Sequence, residues 1–340
     1  MARADRALVI RLAFDARETS HMSAGVLNYS RKLREWLPRV APDVTLVAVG
    51  GGDNFDLAEQ LGLPWEIARS SARVAHFPTL FVPRFVPCAY VVTVHDLIDL
   101  HFPQFVKRRV PPYVRALVAP VARAARAVIT DDEATVDDLE RFLGVDARRV
   151  RVIPLGYDDP PDAPVPAEHP RRYVLYVGNR RPHKNLHTLL AAWSALPRER
   201  PVDLVLSGPP DATFGATYLG PGEIVYLGER SDAELRSWYA GAAAYAHPAL
   251  REGFGLPLLE AMRNGARVVA SQAAMPRVLA AYAVLVDAHD VNEWRAALVE
   301  VLGDPNAARA AAAAAQAATA KLTWERTARL TADVYREIAG

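Results

Sequence analysis

Two glutamates eight residues apart, Glu252 and Glu260, frame the segment of this chain best suited to chemistry. It reads His247-Pro248-Ala249-Leu250-Arg251-Glu252-Gly253-Phe254-Gly255-Leu256-Pro257-Leu258-Leu259-Glu260. The small apolar residues Ala243 to Ala246 form an expected strand, the glycines a turn, and Pro257 the expected first position of a helix, where proline is favoured. Backbone N–H groups at such a helix start attract anions, and Gly253 and Gly255 let a ligand approach the main chain closely. Glu252 lies in the turn and Glu260 about one turn into the helix, so the two carboxylates can reach different parts of one ligand. Carboxylates are acceptors, which suits sugar and ribose hydroxyls.

A second segment, Tyr176-Val177-Gly178-Asn179-Arg180-Arg181-Pro182-His183-Lys184-Asn185, again leads from a strand end into a helix. Arginine as a bidentate fork and lysine as a point charge can neutralise a diphosphate without metal. Either Arg180 or Arg181 can supply the fork, or remain a solvated loop charge. A third segment, Val91-Val92-Thr93-Val94-His95-Asp96-Leu97-Ile98, puts His95 at the end of a strand, with Asp96 expected to brace the following turn. Asp131, Asp132 and Glu133 are expected to be carboxylates complementing a helix dipole.

The elements that must position these residues are short runs rich in valine, isoleucine and leucine, alternating with helical stretches from end to end. That is the pattern of parallel sheets covered on both faces, an α/β fold. Expected strands in the first half are Leu8–Phe14, Val44–Val49, Val74–Phe77, Ala89–Val94, Ala127–Thr130 and Val150–Ile153. In the second half they are Tyr173–Val177, Asp203–Ser207, Glu223–Leu227, Ala243–Ala246, Arg267–Ala270 and Ala283–Leu285. Two doubly wound domains follow, residues 1–157 and 173–321, joined by a proline-rich hinge linker over 158–172 and closed by a helix over 322–340. The alanine-rich run Asp304 to Lys321 is expected to be a solvent-facing helix on propensity alone.

The 340 residues carry 40 basic and 39 acidic side chains, a net charge of +1, so the basic excess of a nucleic-acid binder is missing. One cysteine, Cys88, excludes an internal disulfide framework and multi-cysteine metal sites, and agrees with a reducing compartment. No Gly-x-Gly-x-x-Gly follows the first strand, no P-loop is present, and no Asp-x-Asp pair offers a metal site for a nucleotide diphosphate. No metal is expected to be required. No secretory signal or membrane span is apparent. The run Val106 to Val128 holds Lys107, Arg108, Arg109, Arg115, Arg123 and Arg126 with no acid, and fits either a helix resting on anionic lipid or a solvated face. Four lysines beside 36 arginines, with abundant alanine, read as the coding bias of a GC-rich, bacterial genome.

The Glu252–Glu260 segment resembles the E-x7-E motif of retaining GT-B glycosyltransferases of family 4, in spacing and in the residues between. The Gly178–Asn185 loop resembles that family's phosphate loop, and Thr93–Leu97 its segment with a histidine near the transferred sugar. Asp15-Ala16-Arg17 and Ala24–Tyr29 resemble its first-domain turn, of whose glycines only Gly25 remains. Leu322–Ile338 resembles its closing helix, so the resemblance covers nearly the whole chain.

The resemblance implies two Rossmann-like domains facing a central cleft, with a C-terminal helix crossing back to the first. It implies a nucleotide-sugar donor, with no cofactor and no metal. His95, Glu252 and Lys184 would be catalytic. The donor would meet Gly25, Arg180, Arg181, Lys184, Leu227, Gly228, Glu252, Gly253, Phe254, Gly255, Leu256 and Glu260, with Glu260 on the ribose and Leu227 and Gly228 on the base. The wording around Lys184 and His95 is similar to bacterial mannosyltransferases, which implies GDP-mannose first and a UDP-hexose second. The acceptor implied is a glycan or lipid-linked precursor of surface polysaccharide, reached from the cytoplasm or the inner face of the membrane. A sugar-nucleotide epimerase of the same fold and a non-catalytic sugar-nucleotide binder are the alternatives.

Overall fold

A computed structural model describes residues 9–340 except 20–21, 51–56, 109–111, 113, 161, 212–213 and 215–216. The chain divides into two compact units, Met1–Gly156 with Leu322–Gly340, and Tyr157–Lys321. Each is built on a six-stranded parallel sheet, and all twelve expected strands form, three with the expected ends and the others with ends shifted by at most two residues. Leu8, in the first expected strand, lies outside the described residues.

The first unit contains β1 (Ile10–Asp15), β2 (Val44–Val49), β3 (Val74–Phe77), β4 (Ala89–Thr93), β5 (Ala127–Thr130) and β6 (Val150–Val152), in the order β2-β1-β3-β4-β5-β6. Every residue of β3 and β5 is buried, which is why these runs are largely apolar rather than alternating; the polar exceptions are His76, hydrogen-bonded to Tyr335 and Thr93, and Thr130. Helix α1 (Ala24–Val40) is capped by Ser23, whose hydroxyl accepts from the Val26 N–H, and buries Tyr29, Leu33 and Leu37 on one stripe. The closing helix, Trp324–Ala339, packs on α1 and buries Trp324, Ala328, Thr331 and Tyr335. It enters against Gly156, where an added Cβ would sit 2.1 Å from the Thr323 carbonyl carbon. Only glycine fits there.

The basic run over 106–128 does not form one amphipathic helix. A wide turn at Val114–Val118 leads into a short helix, Ala119–Ala124, and the last residues enter β5. Pro112 and Pro120 lack the N–H a continuous helix would need. Arg109 lies outside the described residues, while Lys107, Arg108, Arg115, Arg123 and Arg126 are exposed. No helix among the described residues is long and apolar enough to cross a membrane.

The second unit contains β7 (Arg172–Tyr176), β8 (Val202–Leu206), β9 (Ile224–Tyr226), β10 (Ala244–His247), β11 (Val268–Ser271) and β12 (Val284–Val286), in the order β12-β11-β10-β7-β8-β9. The chain runs outward from β7 in one direction, then returns to build outward from β10 in the other. Neighbouring strands β7 and β10 therefore form the switch point of the sheet, where the following loops diverge and leave a crevice at the carboxyl ends. The longer helices of the unit are α2 (Leu186–Ser194), α3 (Asp232–Gly241), α4 (Leu256–Arg263), α5 (Val291–Gly303) and α6 (Pro305–Thr319).

Two expectations change here. Residues 158–171 are bound to the second unit rather than standing free as a linker: the Ala167 N–H donates to Ser237 O at 2.8 Å and Arg263 pairs with Asp159. His169 and Arg171 both reach the buried Asp203 carboxylate at 2.8 Å. The alanine-rich α6 is helical, but it is not simply solvent-facing. Ala308, Ala312 and Ala315 are buried on one stripe, their small side chains letting α6 pack closely on α4.

Candidate active site

Both charged segments of the second unit follow the two switch-point strands. After β7, the Gly178 N–H donates to Ser207 Oγ at 3.0 Å and the Tyr176 hydroxyl donates to Asn179 O at 2.5 Å, folding the loop back on its strand. Asn185 ends it in a left-handed conformation, φ +53°, which asparagine tolerates better than most residues. Its amide donates to Pro248 O at 3.1 Å and Ala288 O at 2.7 Å, and the Leu250 N–H donates to His183 O at 2.7 Å. The β7 and β10 loops are thus laced together, and Lys184 is delivered to Glu252.

Glu252 Oε1 accepts from Lys184 Nζ and, at 2.8 Å, from His247 Nε2. His247, the last residue of β10, is fixed in turn by the Tyr245 hydroxyl, 3.0 Å from Nδ1. Burial pushes the Glu252 carboxyl up, but the hydrogen bonds and charges of His247 and Lys184 outweigh it and hold the group at about 2. A largely buried carboxylate held in its ionised form by His247 and Lys184 stands at the switch point.

Helix α4 begins at Leu256, with Pro257 second rather than first, and no side chain caps it. Gly255 precedes it at φ +67°, and an added Cβ would lie 2.8 Å from Leu258 Cδ1. A Gly255→Ala variant is expected to lose about 1–2 kcal/mol from backbone strain alone, seen as a Tm lower by several degrees in thermal melts.

Glu260 lies on α4 with the Tyr239 hydroxyl donating to Oε2 at 3.1 Å. Burial raises its carboxyl to about 7, Tyr239 opposing and Asp232 adding to the rise. Such a group leaves stability untouched below the free carboxyl range near 4.5, lowers it progressively as pH climbs to 7, and lowers it fully above. Glu260→Gln is therefore expected to raise stability at pH 8 by up to about 3 kcal/mol and leave it unchanged at pH 4, measured by urea unfolding at both pH values.

The two arginines separate. Arg180 Nη2 donates to Pro209 O, and its guanidinium lies 5.2 Å from the Tyr226 ring centre and 5.6 Å from that of Phe214. Arg181 is exposed, and among the described residues its side chain has no hydrogen bond or ion pair. Leu227 and Gly228 follow β9; the Leu227 N–H donates to Leu206 O, and Gly208 and Gly228 exchange N–H···O bonds of 3.0 Å across the strand ends. Gly253, Phe254 and Leu256 lie in the turn and first helical position beside Glu252.

In the first unit, His95 follows β4 and its Nδ1 lies 2.6 Å from Asp131 Oδ2, just past β5. Thr93 and Ile129 are paired in the sheet, so residues two beyond each meet above its end. Asp131 is thus a histidine partner rather than a dipole carboxylate; Asp132 caps the following helix, accepting from the Ala134 N–H at 2.9 Å, and Glu133 lies in its first turn as expected. Asp96 braces its turn by accepting from the Ile98 N–H at 3.1 Å. Burial lowers the proton affinity of His95, but Asp131 through charge and hydrogen bond, with Asp96, outweighs it and raises it overall. Tyr29 meets the ring edge-on at 4.7 Å. Gly25 lies in the first turn of α1, and Asp15 and Arg17 form a buried bidentate pair.

The glycosyl transferases group 1 family model matches residues 162–318, and the glycosyltransferase family 4 model matches residues 54–160. Together they span most of both units. The chain is a glycosyltransferase of family 4 type with the GT-B fold. It is 27% identical over 291 residues to O-antigen chain mannosyltransferase B of Escherichia coli, covering 80% of this chain and 76% of that one. It is also 27% identical over 276 residues to serotype-specific mannosyltransferase WbdA of Escherichia coli, covering 74% of this chain but only 34% of that longer protein. Sucrose-phosphate synthase from Thermosynechococcus elongatus has a similar fold, with TM-score 0.72, 18% identity, and 97% and 99% of the two chains covered. So does Anabaena Alr3699/HepE in complex with UDP-glucose, with TM-score 0.69, 16% identity, and 96% and 100% covered.

In this glycosyltransferase, sequence reasoning missed three residues that arrange the site: His247, Tyr245 and Asp131. A signal existed for each. Tyr245 and His247 alternate along one face of β10, and Asp131 stands as far beyond its strand as His95 does beyond the neighbouring one.

Proposed function

We propose that this glycosyltransferase moves a hexose, with retention of anomeric configuration, from a nucleotide diphosphate donor to a glycan or lipid-linked acceptor of surface polysaccharide. The observation that carries the reading is the Glu252 carboxylate, buried at the switch point and held by His247 and Lys184. An anion locked there suits the hydroxyls of a bound sugar, and it faces a lysine able to share its charge with a departing diphosphate. Mannose from GDP-mannose is the first choice of donor, supported by the names of the relatives matched. A UDP-hexose is the second, supported by the UDP-glucose held by a protein of similar fold.

Arg181, exposed and unengaged, is the arginine assigned to the diphosphate, and Arg180 the one assigned to hold the loop. With Lys184 and the main-chain N–H groups around Gly255, Arg181 would stabilise the leaving group without metal. Glu260 would accept from the ribose, and Leu227 and Gly228 would meet the base through their backbone. His95 and Gly25 of the first unit are assigned to the same reaction. No enzymic nucleophile is required if the acceptor attacks on the face the diphosphate leaves, passing its proton to the departing phosphate oxygen. The exposed basic side chains from Lys107 to Arg126 are assigned to contact with anionic lipid at the inner membrane face, and salt-sensitive sedimentation with anionic vesicles tests that assignment.

The deciding experiment incubates the protein with a panel of nucleotide sugars, with and without candidate acceptors, and follows nucleoside diphosphate release. Release that depends on acceptor supports transfer. Conversion of the sugar without acceptor supports an epimerase, and tight binding without turnover supports a binding protein.

A further inference from the structure

The strands of the second unit begin at the edge of the sheet opposite the donor loops, and a cavity of about 420 Å³ opens there. Arg172 is the first residue of β7, Arg267 stands immediately before β11, and Arg309 lies near the start of α6; all three line this cavity. Gly241, Ala243 and Ala312 form part of its wall.

Elsewhere in the chain arginines sit against carboxylates, as Arg263 does with Asp159, Arg171 with Asp203 and Arg336 with Asp43. Among the described residues none of the three cavity arginines has a carboxylate within 4.0 Å. Each gives a hydrogen bond only to a neutral oxygen: Arg172 Nη1 to Leu302 O at 2.9 Å, Arg267 Nη1 to Tyr282 O at 3.0 Å, and Arg309 Nη2 to Asn306 Oδ1 at 2.5 Å. A guanidinium carries five N–H donors, so most of this donor capacity is unspent. Burial, with Arg200 adding for Arg172 and Glu300 opposing for Arg267, makes both groups less willing to hold their protons. Three arginines without a carboxylate partner line one cavity, and an anion bound there would supply the opposite charge that each lacks.

We propose that this cavity is a second ligand site, taking a small phosphate-bearing anion of the size of inorganic diphosphate or a sugar phosphate. Planar guanidinium forks match phosphate oxygens two at a time, and the volume falls within the range of small-molecule pockets. The site belongs to the opposite end of the sheet from Lys184 and Glu252, so its occupant need not compete with the donor.

Isothermal titration calorimetry of the full chain with inorganic diphosphate at low salt tests this, using Arg267→Gln/Arg309→Gln and, separately, Lys184→Gln. The expected result is a binding phase that survives Lys184→Gln and is weakened about tenfold or more by the arginine pair. Arg309→Glu, at an exposed position that leaves the core alone, should abolish the same phase while the circular dichroism spectrum stays unchanged. Absence of that phase, its loss in Lys184→Gln, or its indifference to both arginine variants overturns the proposal.

Discussion

Replacing Glu252 by glutamine is expected to lower kcat by about 10²–10³-fold with little change in donor affinity, measured by nucleoside diphosphate release under saturating donor. The substitution keeps the size of the side chain and removes its charge. In the native site one oxygen takes both the His247 ring and the Lys184 ammonium, and their combined pull keeps the carboxyl at about 2 despite its burial. A neutral amide cannot balance that ammonium, and the stranded lysine charge also costs stability. The double variant Glu252→Gln with Lys184→Met removes the stranded charge. Recovery of Tm in the double variant would assign the stability loss to the stranded lysine charge; recovery of turnover as well would show that neither Glu252 nor Lys184 acts in the chemistry.

Asp131→Asn in the other unit is expected to reduce kcat/KM about 10²-fold, through misplacement of the His95 ring rather than through any contact of its own. Asp131 holds Nδ1 at 2.6 Å and raises the proton affinity of the ring against the opposing effect of burial. Without that carboxylate the ring loses its proton at lower pH, so the alkaline limb of the kcat/KM profile should move to lower pH. Activity should therefore fall further at pH 8 than at pH 6. A profile of unchanged shape at reduced height would mean that Asp131 supports the fold and not the histidine.

The strands were readable because a buried parallel strand is apolar on both faces over most of its length, as in Val268–Ala270, and such short runs have few other uses. The donor loops were readable because glycine, proline and paired charges at strand ends have few structural explanations. What the linear text withheld was lateral. The partnership of His95 with Asp131 depends on β4 lying beside β5 in a particular register, and that of Glu252 with Lys184 on β7 lying beside β10. The assignment between Arg180 and Arg181 also needed coordinates, since it turns on which guanidinium Pro209, Tyr226 and Phe214 already occupy. Residues 158–171 misled because prolines announce the end of regular structure but say nothing of what the irregular chain is tied to. Composition likewise foretold α6 as a helix and could not show that its alanines press against α4.

Since Leu322–Gly340 belong with Met1–Gly156, the first unit is interrupted in sequence by the whole of the second. During synthesis residues 157–321 leave the ribosome as a complete folding unit, while the earlier-made sheet still waits for its last helix. Until that helix arrives, His76 lacks the Tyr335 hydroxyl that lies 2.6 Å from its Nδ1, and α1 lacks the helix that covers much of its apolar stripe. The order of emergence is thus the reverse of the order of completion, and a ribosome stalled near residue 321 would hold one finished unit and one that protease can still open.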